Sequence, residues 1–427
     1  MMPYPVSVTP LWLQNAAMPP STAAGLPSRV DVLIIGAGYT GLSAARETAA
    51  AGRSTLVLDA GPLGAGCSSR NGGQVAYSIK PSYAALTAKF GAKRAFGICR
   101  EGLDAVAYLR SLATQDFDCG WRPDGCFFGA HTAQHFASMV HDAQNQPPGL
   151  EQQISVVPKA EQHGEIDSDF YHGGCVYHDD ASVDPTRLLL ALHSRAIGSG
   201  AAVMDQCRVS ALKRTRDGFE ALTPRGSVHA RQVLLATNGY SGSLSRWHQR
   251  RVIPIGSYQI ATEPLGVERV RTLIPHGRNI VDSRRVVVYF RPSADGDRIV
   301  FGGRAALAEK DPLACVPRLR QMMQRIFPQL RSVRISHAWV GWVAYTFDTL
   351  PHLGQQDGLY YSMGYCGQGV PLAPYLGRRI GQQMLGLAEG RTALDGLEFP
   401  SRPYYHGRPW FLAPSVFAYR MIDAMGL

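Results

Sequence analysis

Apolar and polar positions along this 427-residue chain fall into blocks whose period changes several times, and each change predicts an element. In "VDVLIIGAGYTGLSAARETAAAGRSTLVLDAG" an unbroken apolar run meets glycines, then an alanine-rich stretch stopped by Gly52, then the apolar "STLVLDA". That order predicts strand, tight turn, helix and strand, a βαβ unit. "VDPTRLLLALHSRAIGSGAAVM" repeats helix then strand, with Pro185 suited to a first helical turn and Gly198 and Gly200 to its end. The alternation in "ALKRTRDGFEALTPRGSVHARQVLLATNG" predicts a small antiparallel meander closing on a buried strand over 233–236. "RVVVYFRPSADGDRIVFGGR" predicts a hairpin that turns near Asp295 and Gly296, and with it a second, antiparallel sheet. "GLYYSMGYCGQGVPLAPYLGRRIGQQMLG" again predicts strand, glycine-rich turn and helix. Residues 91–150 carry helical patterns and are expected to form an insertion without sheet. Residues 1–28, rich in Pro, Ala and Ser, predict an extended arm for which Trp12 and Leu13 supply apolar anchors.

Length adds that one core is too few, so two domains are expected. Apolar residues at 45% and charged ones at 18% describe a globular chain. No apolar run reaches the roughly 18 residues of a membrane span, and the first 25 residues have neither a cationic start nor a long apolar segment, so a cytoplasmic protein is expected. Eight cysteines are scattered without C-x-x-C or zinc-like Cys/His spacing, and the 13 histidines lack H-E-x-x-H; free thiols and no metal site are expected. The 43 Lys and Arg against 33 Asp and Glu give a net charge of +10, but the cations are dispersed, which argues against nucleic acid as partner. A solvated surface accounts for that excess, and an attraction for anionic substrates or cofactor phosphates is its sharper reading.

Three glycine-rich stretches carry candidate chemistry. Gly36, Gly38 and Gly41 stand at G-x-G-x-x-G spacing between strand and helix: the first permits the turn, the second lets a pyrophosphate approach the backbone, the third lets helix and strand pack closely. Asp59, at the end of the second strand, stands where a carboxylate holds ribose hydroxyls. In "GAGCSSRNGGQ" a bare backbone surrounds Arg70 and Asn71, with Ser68 and Ser69 as short donors and Gly72 and Gly73 leaving room for a flat ring. Gly364, Gly367 and Gly369 precede a helix whose N-terminal N–H groups favour negative charge. These features alone leave FAD and NAD both open.

Several motifs settle that choice by likeness. "GPLGAGCSSRNGGQ", "VDPTRLLLAL", "LLATNGYSG", "ATEPL", "YFRPSADGDRIVFGGR", "WVGWVAYTFDTLPHLG" and "YSMGYCGQGVPLAPYLG" resemble, in this order, the D-amino-acid oxidase superfamily of FAD-dependent amine oxidoreductases. The resemblance implies an α/β fold: a Rossmann-like parallel-sheet FAD domain from separated segments (29–90, 155–245 and 333–390), a substrate domain on an antiparallel sheet (91–154 and 246–332), and a C-terminal extension (391–427). It implies that FAD is met by Gly36, Gly38, Tyr39, Thr40, Gly41, Asp59 and Ala60; by Ser68, Ser69, Arg70, Asn71, Gly72 and Gly73; by Val209, Ala236 and Thr237; and by Gly364, Gly367, Gln368, Gly369 and Val370. No Cys or His stands where covalent attachment is expected, so FAD is expected to be noncovalent.

The reaction implied is oxidation of an amine C–N bond, with hydride passing to flavin N5 and the imine hydrolysing to an aldehyde; oxygen and other electron acceptors stay open, as does the oligomeric state. No residue is required as a general base. Amino-acid-oxidising relatives place an Arg for the substrate carboxylate after the Ser-Ser of this loop, whereas this chain has Gln74, which favours an amine without an α-carboxylate, such as one of the gamma-glutamylputrescine kind. Relatives commonly carry Ser-Gly-His-Gly where Cys366, Gly367, Gln368 and Gly369 stand, which removes any step that depends on that His. Gln74, Tyr258, Tyr289, Arg291, Trp342 and Cys366 are the pocket candidates. Core packing is the competing role for each aromatic, and Arg291 suits either a distal carboxylate or an acidic neighbour. An amino-acid oxidase, an NAD-dependent dehydrogenase and a flavin-binding protein without turnover are the alternatives.

Overall fold

The computed structural model describes residues 5–14, 16–21, 25–77, 79–115, 117–304 and 311–425. Arg29–Ile35 and Thr55–Leu58 are Val/Leu/Ile-rich runs mostly buried on both faces, as is the last third of Gly226–Leu235, as a parallel sheet requires. They lie within an eight-stranded sheet whose main path runs His352–Gln356, Leu359–Met363, Gly226–Leu235, Arg29–Ile35, Thr55–Leu58, Ala202–Met204. The last five pair in parallel, and His352–Gln356 adds an antiparallel edge. The expected meander, Ala211–Thr215 and Gly218–Thr223, hangs antiparallel from Gly226–Leu235.

Helices Tyr39–Ala50 and Gly369–Met384 cover one face in close contact. A methyl group on Gly377 would collide with the Thr40 carbonyl oxygen, and one on Gly381 would sit 3.0 Å from that of Ala44. Bare glycines thus let the two backbones touch, which brings both helix N-termini to the same side of the sheet.

A second eight-stranded sheet runs Ile335–Tyr345, Ile253–Thr262, Ile299–Gly303, Val288–Pro292, Asn279–Asp282, Cys126–Gly129, Gly174–Tyr177, Ile154–Val157. It is antiparallel except where Asn279–Asp282 meets Cys126–Gly129. The strand over 126–129 lies in a stretch expected to be helical insertion; four mostly buried residues carry no alternation to read. Strands Ile154–Val157, Gly174–Tyr177 and Ile335–Tyr345, expected with the FAD segments, sit in this sheet instead. Conversely, helix Ala92–Gln115, expected with the substrate domain, packs on Gly369–Met384. A two-stranded ladder, Gln74–Val75 with Ala181–Ser182, lies apart from both sheets.

The N-terminal arm is anchored. Trp12 is buried, meets Trp339 edge-on at 6.4 Å between ring centroids, and donates from Nε1 to the Asn71 carbonyl at 2.9 Å. All eight cysteines are free. Among the described residues no helix is long and apolar enough to cross a membrane.

Candidate active site

The carboxyl end of the strand Arg29–Ile35 opens into a cavity of about 1570 Å³ bounded by both sheets. Gly36 turns there at φ +111°, and a methyl group on it would sit 2.7 Å from the Ala236 carbonyl oxygen. Gly38 would likewise press on Ser68 Oγ at 2.9 Å, and Gly41 would collide with the Gly36 carbonyl oxygen. Backbone bars any larger residue at Gly36 and Gly41, while at Gly38 the Ser68 hydroxyl would have to turn aside. Helix Tyr39–Ala50 starts from Gly38 without a side-chain cap, although Ser68 Oγ accepts the Tyr39 N–H at 3.1 Å. Asp59 lines the cavity while accepting Ala37 N–H at 2.8 Å and Gly61 N–H at 3.0 Å. Burial raises its carboxyl above the usual range, and those two donors oppose the rise.

The loop 65–74 forms the next part of the wall. Asn71 braces it: its amide nitrogen donates to the Cys67 and Ser68 carbonyls at 3.1 Å each, and its oxygen accepts Gly73 N–H at 2.8 Å. Arg70 donates from Nε to the Ala65 carbonyl at 2.9 Å. Gly72 lies flat under Tyr289, where a methyl group would come within 3.0 Å of the ring.

Across the cavity, Gly367, Gln368, Gly369 and Val370 present the uncapped start of helix Gly369–Met384. Two helix N-termini whose N-cap residues supply no side-chain cap thus face one cavity, the arrangement that suits an anionic or electron-accepting ligand. Gln259 adds a third open group. Its nitrogen donates to the Arg70 carbonyl at 2.6 Å, while Oε1 is buried without a partner near Gly72. A dinucleotide with a flat ring fits these features: glycines clear its path, helix N-termini meet its anionic parts, and a buried acceptor awaits a ring N–H.

Most of the residues expected on FAD line this cavity: Gly36, Gly38, Tyr39, Thr40, Asp59, Ala60, Ser68, Arg70, Asn71, Gly72, Val209, Ala236, Thr237, Gly367, Gln368, Gly369 and Val370. Gly41, Ser69, Gly73 and Gly364 are not on its wall and serve the scaffold. The Ser69 hydroxyl, wholly buried, donates to the Gly64 carbonyl. Gly73 turns at φ +68° against the Val183 carbonyl, and Gly364 packs on Thr346.

Of the pocket candidates, Gln74 and Tyr289 reach the cavity, with Tyr289 Oη 2.9 Å from Ser257 Oγ. Burial raises the Tyr289 phenol. Tyr258, Trp342, Arg291 and Cys366 do not line it, and each has a physical reason. Tyr258 is a core residue of the second sheet. Side chains alternate along a strand, so its neighbours Ser257 and Gln259 face the cavity in its place, as Gly341, Val343 and Tyr345 do in place of Trp342. Among the described residues Arg291 forms no ion pair with an acidic neighbour. Its Nε donates to the Gly72 carbonyl at 2.6 Å and Nη2 to that of Val183 at 2.7 Å, under the Trp12 ring, and burial lowers its pKa to about 10. Cys366 is buried with its thiol on the Gly364 carbonyl at 3.1 Å, and burial pushes that thiol up to about 11.

Sequence reasoning missed Gln259 and Tyr345; a strict period-two count along "IPIGSYQIAT" and "ISHAWVGWVAY" could have found them. It also missed the C-terminal helix Leu412–Met425, whose Val416 and Tyr419 line the outer end of the cavity.

The chain's relatives agree with this geometry. Gamma-glutamylputrescine oxidoreductase of Escherichia coli (strain K12) is 30% identical over 403 residues, covering 93% of each chain. The probable oxidoreductase OrdL of Haemophilus influenzae is 28% identical over 401 residues, 92% of this chain and 91% of that protein. Among solved structures, glycine oxidase from Geobacillus kaustophilus superposes with a TM-score of 0.74 at 19% identity, covering 88% of this chain and all of that one. L-proline dehydrogenase from P. horikoshii gives 0.70 at 17%, covering 87% and 96%; at these identities both speak to the fold alone. The model of the FAD dependent oxidoreductase (DAO) family matches residues 31–383. With its paired helix N-termini, its bare-backboned cavity and this match over most of its length, the chain belongs to the DAO family of FAD-dependent oxidoreductases.

Proposed function

We propose that this enzyme oxidises the C–N bond of an amine lacking an α-carboxylate, of the gamma-glutamylputrescine kind, to an imine that hydrolyses to an aldehyde. The observation that carries the reading is the cavity wall beside Gly72. Its uncharged polar groups include Gln74, Gln259, Ser257 and the phenols of Tyr289 and Tyr345, while Arg70 is turned onto the Ala65 carbonyl and Lys80 lies over the Tyr345 ring at 5.7 Å. Arg291, the guanidinium that the sequence offered for a substrate carboxylate, is consumed by two backbone carbonyls. An α-carboxylate set against Gln74 and Gln259 would exchange its hydration for uncharged groups, at a cost of several kcal/mol.

FAD, held noncovalently, supplies acceptance of a hydride when bound. The chain's own work is to bind and orient. Val343 and the rings of Tyr289 and Tyr345 offer an apolar face to the substrate's methylene chain. Dry surroundings favour the neutral amine over its ammonium form, so no dedicated base is called for. Gln74, whose nitrogen lies 3.5 Å from the Phe290 carbonyl, keeps its oxygen as an acceptor for the amine N–H. Eight free thiols suit a cytoplasmic setting.

The test is anaerobic reduction of the purified flavoprotein by a panel of gamma-glutamyl amines, simple amines, N-methyl amino acids and D-amino acids. Bleaching by the first two groups is expected. Bleaching by amino acids alone would replace this reading with an amino-acid oxidase.

A further inference from the structure

The outer end of the cavity is walled by a helix beyond the matched family region, Leu412–Met425. Leu412, Ser415, Val416 and Tyr419, spaced three, one and three residues apart, share one helical face and line the cavity with it. One turn further, Asp423 is buried, and both its carboxylate oxygens accept backbone N–H groups from the facing loop: Oδ1 from Arg285 at 2.9 Å and Oδ2 from Val286 at 3.1 Å. Arg420 ties the same helix to the Arg304 carbonyl at 3.1 Å.

Three arginines line this end. Arg284 is committed to Asp282, from Nε at 2.7 Å, and lies over the Phe170 ring. Arg304 donates to the Gly256 carbonyl at 2.8 Å. Arg285 differs, because its side chain is exposed and forms no ion pair among the described residues. Two carboxylates of this region are engaged elsewhere, Asp282 by Arg284 and Asp423 by the loop backbone. The cavity therefore presents a guanidinium without an ion-pair partner among the described residues, on a loop fixed by the C-terminal helix.

We infer that Arg285, held in place by Asp423, selects amines that carry a carboxylate at the end remote from the reacting nitrogen. This rests on the amine-oxidation reading of the same cavity. It assigns the distal-carboxylate role that the sequence offered to Arg291 to a different residue. A diamine would bring its second ammonium against the same guanidinium and be disfavoured.

Omega-aminopentanoate, pentylamine and diaminopentane share a chain length and differ in the charge of the remote end. Binding is read from each ligand's perturbation of the flavin spectrum, and turnover from anaerobic flavin reduction. The wild-type enzyme is expected to bind them in that order, each step about fivefold, with the spread shrinking at high salt. Arg285→Gln should collapse the three dissociation constants to one value at unchanged FAD content, while Arg285→Lys retains most of the spread. Asp423→Ala, acting through the loop, should narrow the spread and leave pentylamine unaffected. Equal wild-type affinities, or an Arg285→Gln variant that weakens all three ligands alike, would overturn the inference. Ordered binding without reduction by any of the three would instead overturn the amine-oxidation reading alone.

Discussion

His248 shows what a single buried side chain contributes here. Its ring is 1% exposed, lies 4.8 Å from both the Trp247 and the Tyr361 rings, and shares a 2.7 Å hydrogen bond between Nδ1 and Ser245 Oγ. Burial, helped by Arg251 nearby, lowers its pKa to about 3. In the unfolded chain the imidazole takes its proton near pH 6.5. Below that pH protons favour the unfolded state, so the stability owed to neutral His248 is complete above about 6.5 and drains as pH falls toward 3. The slope is about 1.4 kcal/mol per pH unit. Thermal unfolding between pH 7 and pH 4 should show this as a falling Tm, and His248→Gln should lower Tm at pH 7 yet flatten the fall. Parallel profiles for the two proteins would contradict it. The sequence could not foretell this, because "RWHQR" gives no sign that one histidine among cations faces inward. Arg291 makes the same point: its place in a strand was legible, but its partners, carbonyls far away in sequence, were not.

Elements built from local signals were the readable part. The βαβ start, the capped helix Pro185–Gly198, the meander and the closing strand-turn-helix all depend on neighbours in sequence, and each stands where its pattern put it. The faces of the long strands were harder. Tyr258 and Trp342 attract attention as aromatics, yet parity turns both away and turns smaller neighbours inward. Gly377 is another element-scale feature hidden in plain composition, since nothing in "PYLGRRI" says which helix it meets. Because its methyl group would strike the Thr40 backbone, Gly377→Ala should push the two helices apart. The expected cost is about 1–3 kcal/mol, with a Tm lower by several degrees and weaker FAD retention. A Tm within one degree of the wild type would show that the helix pair gives way freely, against this account of the packing.

At the scale of the molecule, the sequence told how many kinds of sheet to expect but not which segments share them. Strand pairing between 126–129 and 279–282, or between 253–262 and 335–345, is set by long-range contacts that no local window contains. The arm around Trp12 is similar: an anchor was foreseeable, its seat on Asn71 and Arg291 was not. Trp12→Ala removes one half-buried hydrogen bond and the ring above the guanidinium that holds Gly72. The FAD dissociation constant should rise about tenfold, measured by flavin release on dilution. Unchanged retention would separate the arm from the cofactor bed.

That bed draws on residues 12, 71, 259, 291, 339 and 367 to 370, nearly the whole span of the chain. Synthesis delivers such residues one after another over many seconds. The first strand, turn and helix can fold while the rest is still being made, but the wall opposite them arrives only with the last of these residues. Loading of the cofactor is therefore a late event in the life of each molecule, and a truncated product ending before the second helix would have the nucleotide-binding signature without a place to keep the nucleotide.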